Sequence, residues 1–96
     1  RQMLSLLDQN FPAQWKYVGD GQVRFGGRCP DFINVNGQKL LIEVFGVHWH
    51  NLFDMSARID HFRQFGVETL IIWEDELKES ERLIKRIRNF KRQKHG

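Results

Sequence analysis

The sequence predicts a small mixed α/β domain with the element order αβββαβα, and three local patterns carry that prediction. Asn36-Gly37 lies between two apolar, β-branched runs, a combination that favours a tight hairpin. Leu52, Met55, Ile59 and Phe62 then form an apolar stripe at helical spacing, with Arg58, Asp60, Arg63 and Gln64 opposite. Leu70-Ile-Ile-Trp73 follows as a short buried strand, separated from that helix by Gly66, a natural C-cap.

The remaining elements fall into order around these three. Met3, Leu4 and Leu7 recur at helical spacing, and the segment stops at Asn10 before Phe11 and Pro12, giving a short first helix. Trp15 to Val18 and Val23 to Phe25 are short aromatic and β-branched runs about the turn Gly19-Asp20-Gly21 and read as strands, which makes four strand-like runs before the second helix where the order αβββαβα holds three. Asp31 to Val35 and Leu40 to Phe45 are the two arms of the hairpin. Leu83, Ile84, Ile87 and Phe90 place one apolar face on a last helix.

With 96 residues, 41% hydrophobic and 28% charged, the chain fits one globular domain spanning 1–96 and excludes a collagenous or disordered polymer. Cys29 is the single cysteine, so neither a disulfide framework nor a Cys-rich structural zinc site can be built within the chain. A reducing, cytoplasmic setting is expected. No apolar run approaches the ~20 residues of a membrane span, and no signal segment opens the chain. The chain starts at Arg1, already inside a helical pattern, so a domain cut from a longer protein is expected. Segments outside it are then candidates for dimerisation or a further binding region.

The net charge of +3 is unevenly spread. Beyond Glu81 there is no further acid, while Arg82, Lys85, Arg86, Arg88, Lys91, Arg92 and Lys94 follow in close succession. Such a field suits phosphate backbones or anionic lipid heads, although a basic final turn also complements the helix dipole.

Glu43 lies within Leu40-Leu-Ile-Glu-Val-Phe45, a strand apolar enough to be covered on both faces. An unpaired carboxylate there costs several kcal/mol, so it must take a raised pKa, a basic partner or a metal ion. Asp31 begins the neighbouring arm of the same hairpin, directly after Pro30. Register decides whether the two acids meet. A two-residue loop at Asn36-Gly37 sets Asp31 opposite Ile42 and sends the acids to opposite faces. A three-residue loop, Val35-Asn36-Gly37 with Gly37 left-handed, sets Asp31 opposite Leu41, so that Glu43 lies diagonal to it on the same face.

Pro30-Asp31, a hairpin and then Glu43-Val44-Phe45 resemble the signature of the PD-(D/E)xK nuclease superfamily. The continuation Phe45-Gly46-Val47-His48-Trp49-His50, a helix ending at Gly66 and Leu70-Ile-Ile-Trp73-Glu74 resemble its very-short-patch-repair (Vsr)-like branch and the related phage intron-encoded homing endonucleases. The resemblance spans roughly Gly27 to Leu77. It implies a restriction-endonuclease-like αβββαβ core with a mixed central sheet, and here a basic C-terminal helix follows. It also implies a Mg²⁺ ion, replaceable by Mn²⁺, held by Asp31, Glu43 and the Val44 carbonyl.

Departures from the family pattern are equally specific. Phe45 occupies the position of the superfamily lysine, so another group must manage protons. In the repair branch a histidine one residue past a tryptophan does this, which maps onto His50, with Trp49 as the tryptophan associated with wedging into the base stack. The homing relatives are described by acid, acid, histidine and acid positions, which Glu43, Asp31, His50 and Asp54 supply. Some relatives use an acid on the first helix, where only Asp8 is available. The repair enzymes carry a non-acidic residue where Glu43 stands and a structural zinc whose ligands have no counterpart in this chain.

The expected function is therefore metal-dependent hydrolysis of double-stranded DNA, as the catalytic domain of a homing endonuclease in a bacterial or phage-infected host. His50 would handle the proton of the attacking water. Trp49 and His48, with Lys85, Arg88 and Lys91 on the last helix, are expected to contact DNA. Two alternatives stand beside this: a strand-nicking repair endonuclease, and a catalytically silent nucleic-acid-binding module. Structural explanations exist for individual residues as well: an isolated acid can be salt-bridged, Trp73 can pack, and Asp60-His61 can be a polar helix face.

Overall fold

The computed structural model describes residues 2–46 and 52–93, with the side chain of Leu52 left aside. Helix α1 (Gln2–Asn10) leads to strands β1 (Trp15–Tyr17), β2 (Phe32–Asn34) and β3 (Leu40–Phe45), then α2 (Leu52–Arg63), β4 (Glu68–Trp73), a 3₁₀ turn (Glu74–Lys78) and α3 (Ser80–Arg92). The mixed α/β order is thus αβββαβα. The four strands form one sheet in the order β1-β2-β3-β4. β1, β2 and β3 pair antiparallel, whereas β4 lies parallel to β3 and is reached by a crossover through α2.

Alternation along β3 sets the layers. Leu40 and Ile42 join a core built with Met3, Leu6 and Leu7 of α1 and Leu83, Ile87 and Phe90 of α3. Leu41 points the other way, against Phe62 of α2 and Val67. Helices therefore cover both faces, and a central strand between them must be apolar on both sides. That is the environment in which Glu43, only 3% exposed, is held.

Two expectations change at the level of local structure. Val23 to Phe25 does not join the sheet; Phe25 makes only an isolated bridge to Arg28, because Gly26 and Gly27 both take positive φ and turn the chain back at once. The hairpin loop is also longer than either length considered. Phe32 pairs with Ile42 and Ile33 with Leu41, so the connection runs from 35 to 39. The reason lies in Asn34, whose buried side-chain oxygen accepts the backbone N–H groups of Asn36 at 2.9 Å and Gln38 at 3.2 Å. Val35 meanwhile donates its N–H to Gln14 at 2.8 Å, on the β1 side, leaving β3 unpaired there. Gly37 is left-handed as expected, with φ +89°.

The last helix is fastened through Arg86, at its middle. Glu76 accepts the Trp73 N–H at 2.9 Å and forms an ion pair with Arg86, which also donates to the Ile71 carbonyl at 3.2 Å. These contacts tie α3 to the end of β4. Among the described residues no helix is long and apolar enough to cross a membrane.

Candidate active site

The observed register, continued by one residue, sets Asp31 directly opposite Glu43. Opposed positions on an antiparallel pair share a face and hold their Cβ atoms about 5 Å apart. The shared face required of a two-acid site is therefore present, by direct opposition instead of the diagonal arrangement that a three-residue loop would give. Asp31 is pinned from two sides: its carbonyl accepts the Val18 N–H at 2.8 Å, and its carboxylate accepts the Val44 N–H at 2.8 Å. In an extended strand the N–H and C=O of one residue point to the same side. The Val44 carbonyl therefore faces the edge where Asp31 lies, away from β4.

Glu43 is the electrostatic centre of this region. Burial pushes its carboxyl up to about 7, the nearby Asp31 charge adds to the rise, and the Arg58 guanidinium opposes it. Arg58 Nε donates to Glu43 Oε2 at 3.1 Å, while Oε1 is buried without a hydrogen-bond partner among the described residues. A buried, unpartnered carboxylate oxygen is costly unless it is protonated or meets a cation. Arg58 is held in turn by the Cys29 carbonyl at 3.2 Å and by the Phe62 ring, 5.3 Å from its guanidinium carbon.

An open cleft of about 410 Å³ lies over this group, lined by Arg28, Asp31, Glu43, Val44, Phe45, Asp54, Ala57 and Arg58. Asp31, Glu43, Val44 and Asp54 are thereby brought together from β2, β3 and the first turn of α2. Phe45, which the resemblance sets where a lysine is expected, is buried and packs edge-on against Trp73 at 5.7 Å between ring centres. His48, Trp49 and His50 lie outside the described residues, so their expected roles and any pairing of His50 with Asp54 have no structural description. Among the described residues no three His, Cys, Asp or Glu side chains cluster closely enough to hold an ion alone. As candidate ligands, the Asp31 and Glu43 carboxylates and the Val44 carbonyl are hard oxygen atoms of the kind that suits Mg²⁺ or Mn²⁺.

Lys85, Arg88 and Lys91 stand elsewhere. They belong to α3, on the opposite face of the sheet from Glu43. Lys91 is hydrogen-bonded to Gln14 through its ammonium and accepts the Gln38 side chain at its carbonyl, so it sits beside the β2–β3 loop. Gln38 lies in the loop before β3, and Glu43 is the fourth residue of that strand, about 10 Å further along it than Leu40. Arg88 and Lys91 also lie over the Phe11 ring, 5.9 and 5.1 Å from its centre. Asp8 is exposed on α1, whose buried residues join the core on that same far side.

Two residues that make partly buried hydrogen bonds escaped the sequence reading. Arg58 was placed on the polar side of α2, yet it faces the sheet and partners Glu43. His61 is half-buried, with Nε2 2.7 Å from the Phe25 carbonyl, and is therefore more than a polar surface residue. The signal was available: Asp54, Arg58 and His61 stand at i, i+4 and i+7, a polar stripe running beside the apolar one. In comparisons with known proteins the chain matches no family model, and no curated protein or solved structure is significantly similar to it.

Proposed function

We propose that the chain is a metal-dependent DNA endonuclease domain of the PD-(D/E)xK kind, serving as the nuclease part of a homing endonuclease. The observation that carries this reading is the direct opposition of Asp31 and Glu43 at the mouth of an open cleft, with one buried Glu43 oxygen lacking a partner. Asp31, Glu43 and the Val44 carbonyl would hold Mg²⁺. When bound, the ion supplies a polarised phosphate, an acidified water and a counter-charge to the transition state.

The chain's own residues do the rest. Arg58 keeps Glu43 oriented through Oε2, leaving Oε1 for the ion. His50 takes the proton of the attacking water; the water oxygen ends on phosphorus, one P–O ester bond breaks, and the leaving oxygen is protonated. Arg28, at the cleft edge, offers a guanidinium to a phosphate. A contribution of Lys85, Arg88 and Lys91 to DNA binding then requires a duplex that continues past the cleft to the other face.

One observation favours the silent binding module instead. Both acids already have structural work, Glu43 with Arg58 and Asp31 with the Val44 amide. Plasmid nicking separates the two readings. Cleavage that requires Mg²⁺ or Mn²⁺, is not supported by Ca²⁺, and disappears in folded Asp31→Asn and Glu43→Gln proteins supports the nuclease. Retained cleavage in either variant removes that residue from the mechanism, and no cleavage by the parent protein under any divalent ion favours the silent module.

A further inference from the structure

A cleft that carries two acids repels a polyanion unless cations stand at its rim. Most of the concentrated positive charge of the chain lies on α3, across the sheet, where Arg82 and Arg86 pair with Glu79 and Glu76. Against α2, whose residues line the cleft, the residues from Arg24 to Arg28 make a separate feature: Arg28 lines the cleft, and the Arg24 guanidinium lies beside the Gly21 turn. Phe25 and Arg28 exchange backbone hydrogen bonds of 2.9 and 3.2 Å. Gly26 and Gly27, at φ +59° and +81°, form the two-residue turn between them.

This small hairpin is pressed onto α2. The Phe25 ring meets Phe62 at 6.0 Å and Phe65 at 5.9 Å between ring centres. His61 Nε2 lies 2.7 Å from the Phe25 carbonyl, and since a carbonyl only accepts, that nitrogen is the donor. A methyl group at Gly26 would fall 2.8 Å from Phe65 and 3.0 Å from His61, so glycine is needed for the close approach as well as for φ. The hairpin is thus anchored, and its two flanking arginines are not consumed by the anchoring. Arg24 and Arg28 are both exposed, and among the described residues neither forms an ion pair. Arg28 lines the same cleft as Asp31 and Glu43.

We propose that the 24–28 hairpin is a phosphate-binding lip that grips the backbone of duplex DNA beside the cleft. The choice of DNA as the polyanion rests on the nuclease reading above; the placement of the grip does not. An anchored turn spares the backbone part of the ordering cost at the moment of binding, leaving only that of the two side chains. Contacts of this kind position the duplex and carry no base preference.

The test is fluorescence anisotropy with a short mixed-sequence duplex, in EDTA, over a range of salt, alongside metal-dependent plasmid nicking. Arg24→Ala/Arg28→Ala is expected to weaken binding on the order of 10-fold or more and to lower the salt slope by about 2, because two fewer phosphates are neutralised. Arg24→Lys/Arg28→Lys is expected to restore the slope. Lys85→Ala/Arg88→Ala/Lys91→Ala is expected to lose less affinity than the hairpin variant. If the parent protein binds and nicks DNA while the hairpin variant keeps parental affinity and slope, the lip is wrong and the nuclease reading stands. A larger loss from the α3 variant moves the grip to α3 and also overturns the proposal. Parent protein that neither binds nor nicks DNA overturns both. Competition by phosphatidylserine vesicles that displaces the duplex, and fails with the hairpin variant, assigns the arginines to lipid headgroups instead.

Discussion

Replacing Arg58 by methionine isolates the interaction on which the candidate site depends, because it removes the guanidinium from Glu43 and keeps most of the side-chain volume. The Glu43 carboxyl is raised from its ordinary 4.5 to about 7. A raised carboxyl pKa means that Glu43 contributes its full favourable share to folding below pH 4.5 and loses it as pH climbs through 7, a loss of about 3 kcal/mol for a shift of this size. In the parent protein that loss stops near pH 7, since Arg58 then accepts the ionised form. In Arg58→Met it continues upward, because burial and Asp31 still oppose ionisation and the opposing cation is gone. At pH 6 Glu43 is mostly protonated, and the variant loses the guanidinium's bonds to neutral Glu43 and to the Cys29 carbonyl and its contact over Phe62, about 1–2 kcal/mol. Above pH 7 each pH unit over which the variant keeps Glu43 protonated adds about 1.4 kcal/mol, so the deficit grows toward about 4 kcal/mol at pH 9. Domains of this size have only about 5–15 kcal/mol of stability, which makes the difference easy to see. Urea denaturation in EDTA at pH 6 and pH 9 measures it. A deficit of the same size at both pH values would refute the view that Arg58 acts on an ionised, buried Glu43.

Two further outcomes follow from the same physical picture. Asn34→Ala removes a buried oxygen that accepts two backbone N–H groups in the 35–39 loop, and is expected to cost about 2 kcal/mol in urea denaturation; a change under about 0.5 kcal/mol would mean the loop holds its register by other means. His50→Ala is expected to lower single-turnover cleavage by ~10²-fold or more with little change in DNA affinity, and His48→Ala to do less. Normal cleavage in a folded His50→Ala protein removes the histidine from proton transfer.

Much of the fold was legible because its signals are local. Gly37 closes a loop, Gly66 ends α2, and the runs Leu40 to Phe45 and Leu70 to Trp73 are apolar enough to be central strands. What was not legible depended on competition between neighbours. Asn-Gly at 36–37 suggested a short turn, but Asn34 captures two amides and Val35 stays with β1, so the loop opens to five residues. Val23 to Phe25 has strand composition, yet two successive positive-φ glycines end it before it can pair. In the site, the sequence stated the condition for a shared face of Asp31 and Glu43, an odd loop, without deciding it, and the five-residue loop meets that condition; Arg58 was missed because its charge suggested solvent. Its place three residues after Met55 and four before Phe62 puts it at the border of the apolar face, where a long side chain can reach inward.

Anomalous scattering from crystals of the protein soaked in Mn²⁺ tests whether Asp31, Glu43 and the Val44 carbonyl hold a divalent ion. An anomalous peak within ~2.0–2.3 Å of one oxygen from each of Asp31, Glu43 and Val44, absent in Glu43→Gln crystals, is the predicted result. Full Mn²⁺ exposure with no peak there, and Arg58 still paired to a Glu43 whose second oxygen remains unpartnered, would contradict it.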